Sequence, residues 1–558
     1  MNRAKIIEGL KSHSPEVLII GAGVNGAGTF RDLALNGVDV LLVDKGDFCA
    51  GASAASSHMA HGGIRYLENG EFRLVREAVR ERNRMIENAP HLVRPLPTVV
   101  PMFKLFSGLL NAPLKFLNLL NKPSERGAVV IKIGLIFYDS FTKAQKTVPP
   151  HKFENRQRSL EKYPALSQDI KYTATYFDGS ILSPERYVVE LVVDGEAEGD
   201  HANALNYVAV EKIVDGSVQL RDQLTGELFV TKPKLVINAT GPWIDVTNQG
   251  FGLNHRYIGG TKGSHIIVDN PTLRTAIGKN EFFFENKDGR IVLIFPFYDK
   301  VIIGTSDLPI ESPDNISITE PEIDYFITLV NRVFPSISIT KEQIVFTFSG
   351  VRPLEAMKAK TAGQITRDHS IKEDEVDGVK IISLVGGKWT SYRAFSEQVA
   401  DLCLGVLGRS RIKDTSNLPL GGGRDYPVVG LAQVEFIKKI ASKTDPKKFS
   451  SKLLFDRYGT RAKEVADFLD LGSPKSLRHC DQITDREIEF LVRTEKAVHI
   501  EDILIRRTNL AWLGNYQLEL IEEIADAMGR SLGWSAEMKK EEVERTVRIL
   551  ANDHKVKV

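Results

Sequence analysis

The sequence predicts an α/β protein with mixed β-sheets over residues 1–415, followed by a helical domain over residues 416–558. Two observations predict this class. Strand-like apolar runs alternate with helices and polar turns up to about Arg411. After the turn-forming run Pro-Leu-Gly-Gly-Gly-Arg at 419–424, the chain becomes rich in Ala, Glu, Lys, Arg and Leu at helical spacing.

The individual elements follow from periodicity and from turn residues. The chain opens with an apolar strand at 16–20, a helix at 24–36 that Gly37 ends, and a second apolar strand at 38–43. Further strands are predicted at 234–238, 263–268, 290–295 and 301–303. The opening is therefore that of a βαβ unit, and the rest of the α/β part reads as a mixed sheet interleaved with it.

Composition excludes several classes of protein. With 73 Lys and Arg against 72 Asp and Glu, the net charge of +1 gives no field that would collect nucleic acid. Cys49, Cys403 and Cys480 have no metal-type spacing, so we expect no metal site and a reducing compartment. The N-terminus lacks the apolar core of a secretory signal, and no apolar run reaches about 18 residues. We expect a cytoplasmic protein whose membrane contact, if it has one, is interfacial.

A dinucleotide fingerprint lies between the first strand and the first helix. Gly21 permits a tight turn, Gly23 lets the backbone approach a pyrophosphate, and Gly26 lets helix and strand pack closely. The helix N-terminus then faces the phosphates. Asp44 ends the second strand 23 residues after Gly21, where it can accept a hydrogen bond from a ribose hydroxyl. Strand, helix and acid all stand where a dinucleotide site needs them.

The second contact to the nucleotide favours FAD over NAD. The run Val-Ile-Asn-Ala-Thr-Gly-Pro-Trp at 236–243 resembles the point where the chain of glutathione-reductase-like flavoproteins returns beside the cofactor. We therefore expect a Rossmann-like FAD-binding domain of the glutathione-reductase / D-amino-acid-oxidase type.

Several separate motifs resemble the FAD-dependent, membrane-associated glycerol-3-phosphate dehydrogenases. The motifs are Ser-Ala-Ala-Ser-Ser at 53–57, His-Gly-Gly-Ile-Arg-Tyr-Leu-Glu at 61–68, Lys-Gly-Ser-His-Ile at 262–266, Gly-Thr-Ser-Asp at 304–307, Ser-Gly-Val-Arg-Pro-Leu at 349–354, Ile-Thr-Arg-Asp at 365–368 and Gly-Gly-Lys-Trp-Thr at 386–390. The likeness runs from residue 16 to about 393. It extends more loosely to a helical C-terminal cap domain.

The resemblance implies a set of cofactor-binding residues that includes the fingerprint. Small side chains and hydroxyls suit backbone that lies along the phosphates and the flavin. The set is Gly21, Gly23, Asn25, Gly26, Asp44, Lys45, Ser53, Ser56, Ser57, His61, Gly62, Gly63, Gly241, Gly387, Lys388 and Thr390.

The resemblance also implies a substrate site for glycerol 3-phosphate. Arginine suits bidentate recognition of phosphate. Residues matching the phosphate end are Tyr66, Thr305, Arg352 and Arg367, and those near the glycerol hydroxyls and the flavin are Arg65 and Lys388. The catalytic set is His61, Arg65, His265, Arg352 and Lys388.

The implied reaction removes the proton of the C2 hydroxyl and transfers a hydride from C2 to the flavin. His265 or His61 is favoured over Arg352 as the base, because a group with a pKa near 6.5 suits abstraction at neutral pH. Lys388 would stabilise negative charge on the reduced flavin. Electrons would pass to a membrane quinone.

Three alternatives stay open at this stage. A glycerol-3-phosphate oxidase, which uses oxygen and releases peroxide, would share the same site. An FAD-binding module without turnover would require a lesion among the cationic residues, and all of those positions are filled. Oxidation of an amino acid would need one carboxylate clamp in place of several cationic groups. A homodimer also stays open.

One segment departs from the family. Residues 104–122 make the chain longer than usual members, and Leu and Phe side chains stand at near-helical spacing beside Lys104, Lys115 and Lys122. Pro113 interrupts the segment as a single helix. An interfacial membrane anchor is one interpretation, and a core helix or a subunit contact is another.

Overall fold

The computed structural model describes residues 3–64, 71–105, 128–142, 147–286, 291–356, 369–442 and 450–558. The strands are β1 (Val17–Ile20), β2 (Val40–Val43), β3 (Met59–Ala60), β4 (Val93–Met102), β5 (Lys152–Asn155), β6 (Tyr172–Ile181), β7 (Ala202–Leu205), β8 (Val208–Val214), β9 (Ser217–Asp222), β10 (Leu228–Thr231), β11 (Leu235–Asn238), β12 (Thr261–Val268), β13 (Glu281–Glu285), β14 (Ile291–Phe297), β15 (Lys300–Gly304), β16 (Leu308–Pro309), β17 (Ile344–Arg352), β18 (Ser370–Val376) and β19 (Val379–Val385).

The helices alternate with these strands and then continue alone. They are α1 (Arg3–Ser12), α2 (Val24–Leu35), α3 (Phe72–Asn88), α4 (Ala128–Thr142), α5 (Arg156–Lys162), α6 (Pro184–Glu196), α7 (Ile244–Gly250), α8 (Pro271–Ile277), α9 (Glu320–Val333), α10 (Tyr392–Val406), α11 (Gly430–Ala441), α12 (Ser451–Tyr458), α13 (Ala462–Asp470), α14 (Asp485–Glu495), α15 (Leu518–Leu532) and α16 (Ala536–His554). We call the part from α11 to α16 the C-terminal domain. It also contains a π-helical turn, Asp502–Arg507.

The first sheet has six strands in the order β18-β19-β11-β1-β2-β7. Its five strands from β19 to β7 run parallel, and β18 joins antiparallel to β19. Every residue of β1 and β2 is buried, because α2, α6 and α10 cover one face and α1 with the small sheet β10-β9-β8 covers the other. A parallel sheet covered on both faces is expected to have such continuous apolar strands.

The second sheet has ten strands and is mixed. Its main order is β16-β12-β15-β14-β13-β4-β6-β3, with β17 paired to β12 and β5 paired to β6. Alternate residues point to opposite faces. Ile266 and Ile294 pack toward α9, whereas Ile267, Phe295 and Phe348 pack against the C-terminal domain. The C-terminal domain therefore covers one face of the sheet that carries the candidate substrate residues.

The α/β class with mixed sheets and a helical C-terminal domain is confirmed. The predicted opening helix corresponds to α2, which ends at Leu35, one residue earlier than predicted, and Gly37 follows with φ of 69°. Among the described residues, no helix is both long and apolar enough to cross a membrane.

Candidate active site

The turn between β1 and α2 depends on its glycines. Gly21 has φ of 99°, in the left-handed region that favours glycine. A Cβ atom on Gly26 would overlap the carbonyl oxygen of Gly21, so helix and strand approach as closely as backbone allows. The N–H of Val24, at the start of α2, donates to the Ser53 hydroxyl at 2.9 Å. The segment 53–57 therefore lies against the helix N-terminus, where a phosphate is stabilised by the helix dipole and N–H groups.

Asp44 directly follows β2 and lies beside this turn. Its carboxylate accepts the N–H of Ala22 at 2.7 Å and the N–H of Gly46 at 2.9 Å. Burial raises the pKa of Asp44 to about 6. Lys45 places its ammonium 4.8 Å from the ring centre of Trp243, which follows Gly241 at the end of β11. Both predicted nucleotide contacts, the acid and the Gly241 turn, thus meet at the same edge of the first sheet.

The turn after β19 brings a third segment to the start of α2. Gly387 has φ of 102°, and a Cβ atom there would lie 2.6 Å from the Asn25 amide nitrogen. Trp389 donates its indole N–H to the carbonyl of Ser53 at 2.9 Å, and Thr390 donates to the carbonyl of His61 at 3.2 Å. Lys388 lies within this turn and is partly exposed.

The segment 53–63 connects the nucleotide turn to the second sheet. The Ser56 hydroxyl accepts the N–H of His58 at 3.3 Å. The N–H of Gly62 donates to Asp178 at 2.8 Å, and a Cβ atom on Gly62 would overlap the Tyr138 hydroxyl. Gly63 follows with φ of 75°. Small residues are therefore required where this segment passes over β6.

These features fit FAD. Gly21 and Gly26 form a tight turn that we call the glycine cradle, since a Cβ atom on either would overlap neighbouring backbone, and Asp44 directly follows the second strand. The Asn25 side-chain oxygen is buried next to Gly387 and has no hydrogen-bond partner within the described residues. A pyrophosphate along the start of α2 and a flavin beside the 386–390 turn would meet polar groups of suitable type.

His265 lies in β12 under the same segment. Its Nε2 is 2.9 Å from the Ser57 hydroxyl, and its ring stacks on Phe348 with centroids 4.6 Å apart. Only 1% of the residue is exposed. Burial, followed by the charge of Arg352, lowers the pKa of His265 well below its ordinary value, so the imidazole is neutral. The ring can accept a proton, but the lowered pKa makes it a weaker base than the value near 6.5 expected from the sequence, and Ser57 is the group that it contacts.

Arg352 ends β17 and presents its guanidinium to the loop after β15. One nitrogen donates to Asp307 at 3.1 Å, and the other donates to the Thr305 hydroxyl at 2.9 Å and to the carbonyl of Ser306 at 3.0 Å. A Cβ atom on Gly263 would overlap the guanidinium, so glycine in β12 makes room for it. The side chain is 27% exposed and can still meet a ligand.

A buried ion pair behind this loop was not anticipated from the sequence. Lys262 donates to Glu322 at 2.7 Å, and the Ser306 hydroxyl donates to the other carboxylate oxygen at 2.6 Å. Although burial acts to raise it, the hydrogen bonds from Lys262 and Ser306 lower the pKa of Glu322 to about 2. The capping pattern Thr319-x-x-Glu322 signals the start of α9, but it does not reveal that Glu322 also holds the loop.

The structure brings most of the predicted residues to one region. Thr305 and Arg352 are hydrogen bonded, Ser57 contacts His265, and the segment 53–63 joins both to the nucleotide turn. Arg65, Tyr66 and Arg367 lie outside the described residues, as does all of the segment 104–122 except its first two residues. Asp307 is the further polar neighbour that the sequence interpretation missed, although it stands in the quoted Gly-Thr-Ser-Asp motif.

Known proteins share both parts of the chain. Residues 16–388 match the family described as FAD dependent oxidoreductase, and residues 413–539 match the family described as the C-terminal domain of alpha-glycerophosphate oxidase. A glycerol-3-phosphate dehydrogenase of Synechocystis sp. is 35% identical, with 95% of each chain covered. D-erythritol 1-phosphate dehydrogenase of Brucella abortus is 31% identical over 88% of this chain and 94% of its own.

A solved structure has the same fold. The glycerol-3-phosphate dehydrogenase from Bacillus halodurans complexed with FAD superposes with a TM-score of 0.74 and 22% sequence identity. The match covers 99% of this chain and 97% of that chain.

Proposed function

The chain belongs to the FAD-dependent oxidoreductase family, and from this premise we propose that it oxidises glycerol 3-phosphate to dihydroxyacetone phosphate. The observation that carries the proposal is the guanidinium of Arg352, which is hydrogen bonded to Thr305 and lies on the strand that pairs with the strand of His265. We therefore assign Arg352 to the phosphate of the substrate and His265 to the same site, beside the glycine cradle for the cofactor.

Each end of the substrate has candidate partners in the chain. The guanidinium of Arg352 and the hydroxyl of Thr305 bind the phosphate, with Tyr66 and Arg367 as further contacts expected from the resemblance. The resemblance assigns Arg65 and Lys388 to the glycerol hydroxyls and the flavin. His265 or His61 takes the C2 hydroxyl proton, and Ser57 orients the ring of His265. FAD, when bound, accepts the hydride and supplies the redox chemistry.

An anaerobic titration tests this function. Glycerol 3-phosphate should bleach the flavin absorption of the purified protein, whereas unphosphorylated glycerol should be a very poor reductant because it lacks the group that Arg352 binds. D-Erythritol 1-phosphate belongs in the same titration, since one relative is named for it. Bleaching by erythritol phosphate alone would assign the longer polyol phosphate as substrate, and bleaching by neither would overturn the proposal.

We propose a membrane quinone as the electron acceptor. The alternative, oxygen, is suggested by the oxidase named in the family that residues 413–539 match. Reoxidation of the substrate-reduced enzyme separates them, because a quinone-linked enzyme should react much faster with a soluble quinone analogue than with oxygen. The domain boundary near residue 415 and a homodimer also stay predictions, which limited proteolysis and light scattering would check.

Binding of FAD should depend on pH through Asp44. Burial raises the pKa of Asp44 in the folded protein to about 6. A ribose hydroxyl that donates to the ionised carboxylate lowers this pKa again when FAD binds. Affinity should therefore be full above pH 7 and should weaken as the pH falls through 6. The measurement is the Kd of the apoprotein for FAD by flavin fluorescence between pH 5 and 8. Asp44→Asn is the control and should bind weakly with a flatter profile.

An exposed apolar surface on α4 is our candidate for membrane contact. Ile133, Ile136 and Phe137 are 51%, 55% and 51% exposed on one side of the helix. Lys132 lies beside them, 5.3 Å from the ring centre of Phe153. The start of α4 is hydrogen bonded to residues 104 and 105. These two residues line a cavity of about 820 Å³, and Arg156 and Lys171 line it as well. Apolar side chains flanked by cations suit an anionic lipid surface.

Flotation with anionic liposomes checks this assignment. The variant with Ile133→Asp, Ile136→Asp and Phe137→Asp should lose binding while it keeps its flavin, because these side chains are exposed and lie outside the site. Each lysine at an anionic surface contributes about 1 kcal/mol of binding free energy. Because salt screens this attraction, liposome binding of the wild type should weaken as the salt concentration rises. The control carries Val428→Asp, Leu431→Asp and Val434→Asp, which replace exposed apolar residues at and before α11, with exposed fractions of 84%, 78% and 47%. Equal binding by all three proteins would move the contact elsewhere.

A further inference from the structure

A buried carboxylate three residues after Asp44 is held by the C-terminal domain. Asp47 is 1% exposed. Arg507 donates from both terminal nitrogens to its two oxygens, at 2.6 and 3.0 Å, and Arg506 donates to one of them at 2.7 Å. Asn206, at the end of β7, completes the set at 2.9 Å. Although burial acts to raise it, the two guanidinium groups hold the pKa of Asp47 well below its usual range.

The arginines are themselves fixed within the C-terminal domain. Arg507 is fully buried and also donates to the carbonyl of Glu495 at the end of α14. Arg506 donates to Asp502, which accepts the Tyr207 hydroxyl at 2.6 Å. Both arginines belong to the π-helical turn, a form that is often found at functional sites. The carboxylate therefore sits in a rigid clamp that spans two parts of the chain.

The clamp reaches the nucleotide cradle through a short stretch of backbone, residues 44–50, which we call the 44–50 turn. The N–H of Gly46 donates to the Asp44 carboxylate, and the N–H of Cys49 donates to the carbonyl of Ala22 at 3.0 Å. On its other side the turn bonds to the end of β7, where the N–H of Tyr207 donates to the carbonyl of Gly46 at 2.8 Å. Asp47 is thus one anchor of the loop that carries Asp44, beside the backbone hydrogen bonds that join Asp44 to Leu205 and Val208.

We propose that the C-terminal domain positions the adenosine end of the FAD site, with Arg507 and Arg506 fixing the 44–50 turn through Asp47 and so aiming the carboxylate of Asp44 at the ribose. The inference rests on the nucleotide role proposed above for Asp44. Arg507 is a positioning residue in this scheme, since it touches neither substrate nor cofactor. Functional carboxylates need such support because errors of about 0.5 Å in their placement weaken binding.

A double-mutant cycle on the apoprotein of the full chain tests the coupling. The proteins are the wild type, Asp44→Ala, Arg507→Lys and the double variant, and the readout is the Kd for FAD and for ADP, which carries the adenosine and pyrophosphate part of FAD without the flavin. Arg507→Lys keeps the charge but loses the bidentate fork. Arg507→Lys should raise the Kd for both ligands on the order of tenfold. This size lies within the range of coupling energies between residues of one network. In the double variant the loss should not exceed that of Asp44→Ala alone.

Controls separate positioning from general destabilisation. Arg457→Lys alters another buried ion pair of the same domain, with Glu487, and should lower the melting temperature without changing either Kd. Additive losses in the double variant would overturn the inference, whereas an Asp44→Ala protein with unchanged affinity would overturn the assignment of Asp44 instead. If Arg507→Lys does not fold, Arg506→Lys replaces it in the cycle, and unchanged affinity in that variant would contradict the proposal.

Discussion

Gly26→Ala is expected to abolish FAD binding and to yield a colourless protein. The added methyl group would overlap the carbonyl oxygen of Gly21, which is backbone and cannot rotate away. Helix α2 would have to move off β1, and its N-terminus would leave the position from which it faces the pyrophosphate. We expect affinity to fall at least about 100-fold, which corresponds to about 2.8 kcal/mol because each tenfold change is about 1.4 kcal/mol. Flavin content after purification and the Kd of the apoprotein measure it.

Two other glycines provide matched controls. Gly405→Ala adds the same methyl group within helix α10, where nothing lies within 4 Å, and should leave flavin content unchanged. At Gly23 the new Cβ atom would lie 3.1 Å from the Ser53 hydroxyl, a side chain that can rotate, so Gly23→Ala should have a smaller effect. A yellow Gly26→Ala protein with normal affinity would refute the cradle.

Arg352→Ala is expected to lower kcat/KM for glycerol 3-phosphate at least about 100-fold. The change removes a two-pronged guanidinium whose charge-assisted hydrogen bonds contribute about 1.5–3 kcal/mol each. The loss should appear chiefly as a raised KM, with flavin content intact, because Arg352 contacts the 305–307 loop and not the glycine cradle. Steady-state kinetics with a soluble electron acceptor and the visible absorption spectrum together measure this.

The loss of kcat/KM at position 352 should depend on the shape of the guanidinium as well as on its charge. Arg352→Lys keeps one positive charge without the fork and should recover only part of the activity. Arg221→Ala should leave kcat and KM unchanged. It removes another arginine that is paired with an acid, Glu211, but this arginine lies in β9 of the small sheet. If Arg352→Ala had a normal KM, the phosphate would have to bind elsewhere in the site.

Much of the fold was predictable because its elements are locally encoded. The predicted strands at 234–238, 263–268 and 301–303 correspond to β11, β12 and β15 within two residues at each end. Apolar runs bounded by Gly, Pro and Asn specify such strands without help from distant residues. The pairing of strands was not predictable, since β12 pairs with both β15 and β17, and the paired residues are 33 to 91 positions apart in the chain.

The site was predictable where a motif carries its own mechanism. The relative positions of Gly21, Gly26 and Asp44 could be predicted from spacing because the strand, turn and helix fix them. The neutral state of His265 was not predictable, since it depends on burial under the segment 53–63 and on the charge of Arg352. Nor could the sequence indicate that Glu322, in α9, would hold the loop of Ser306.

The sequence by itself determined the α/β class, the dinucleotide cradle and the helical character of the C-terminal domain, because these depend on short-range spacing and hydrophobic period. Only the tertiary structure decided how the domains are joined. Asp47 and Arg507 are 460 residues apart, yet they form a buried bidentate pair. Nothing local distinguishes either residue from a solvated surface charge. Their role depends on burial, which removes competing water and makes the unpaired charge costly, and burial is a property of the folded chain.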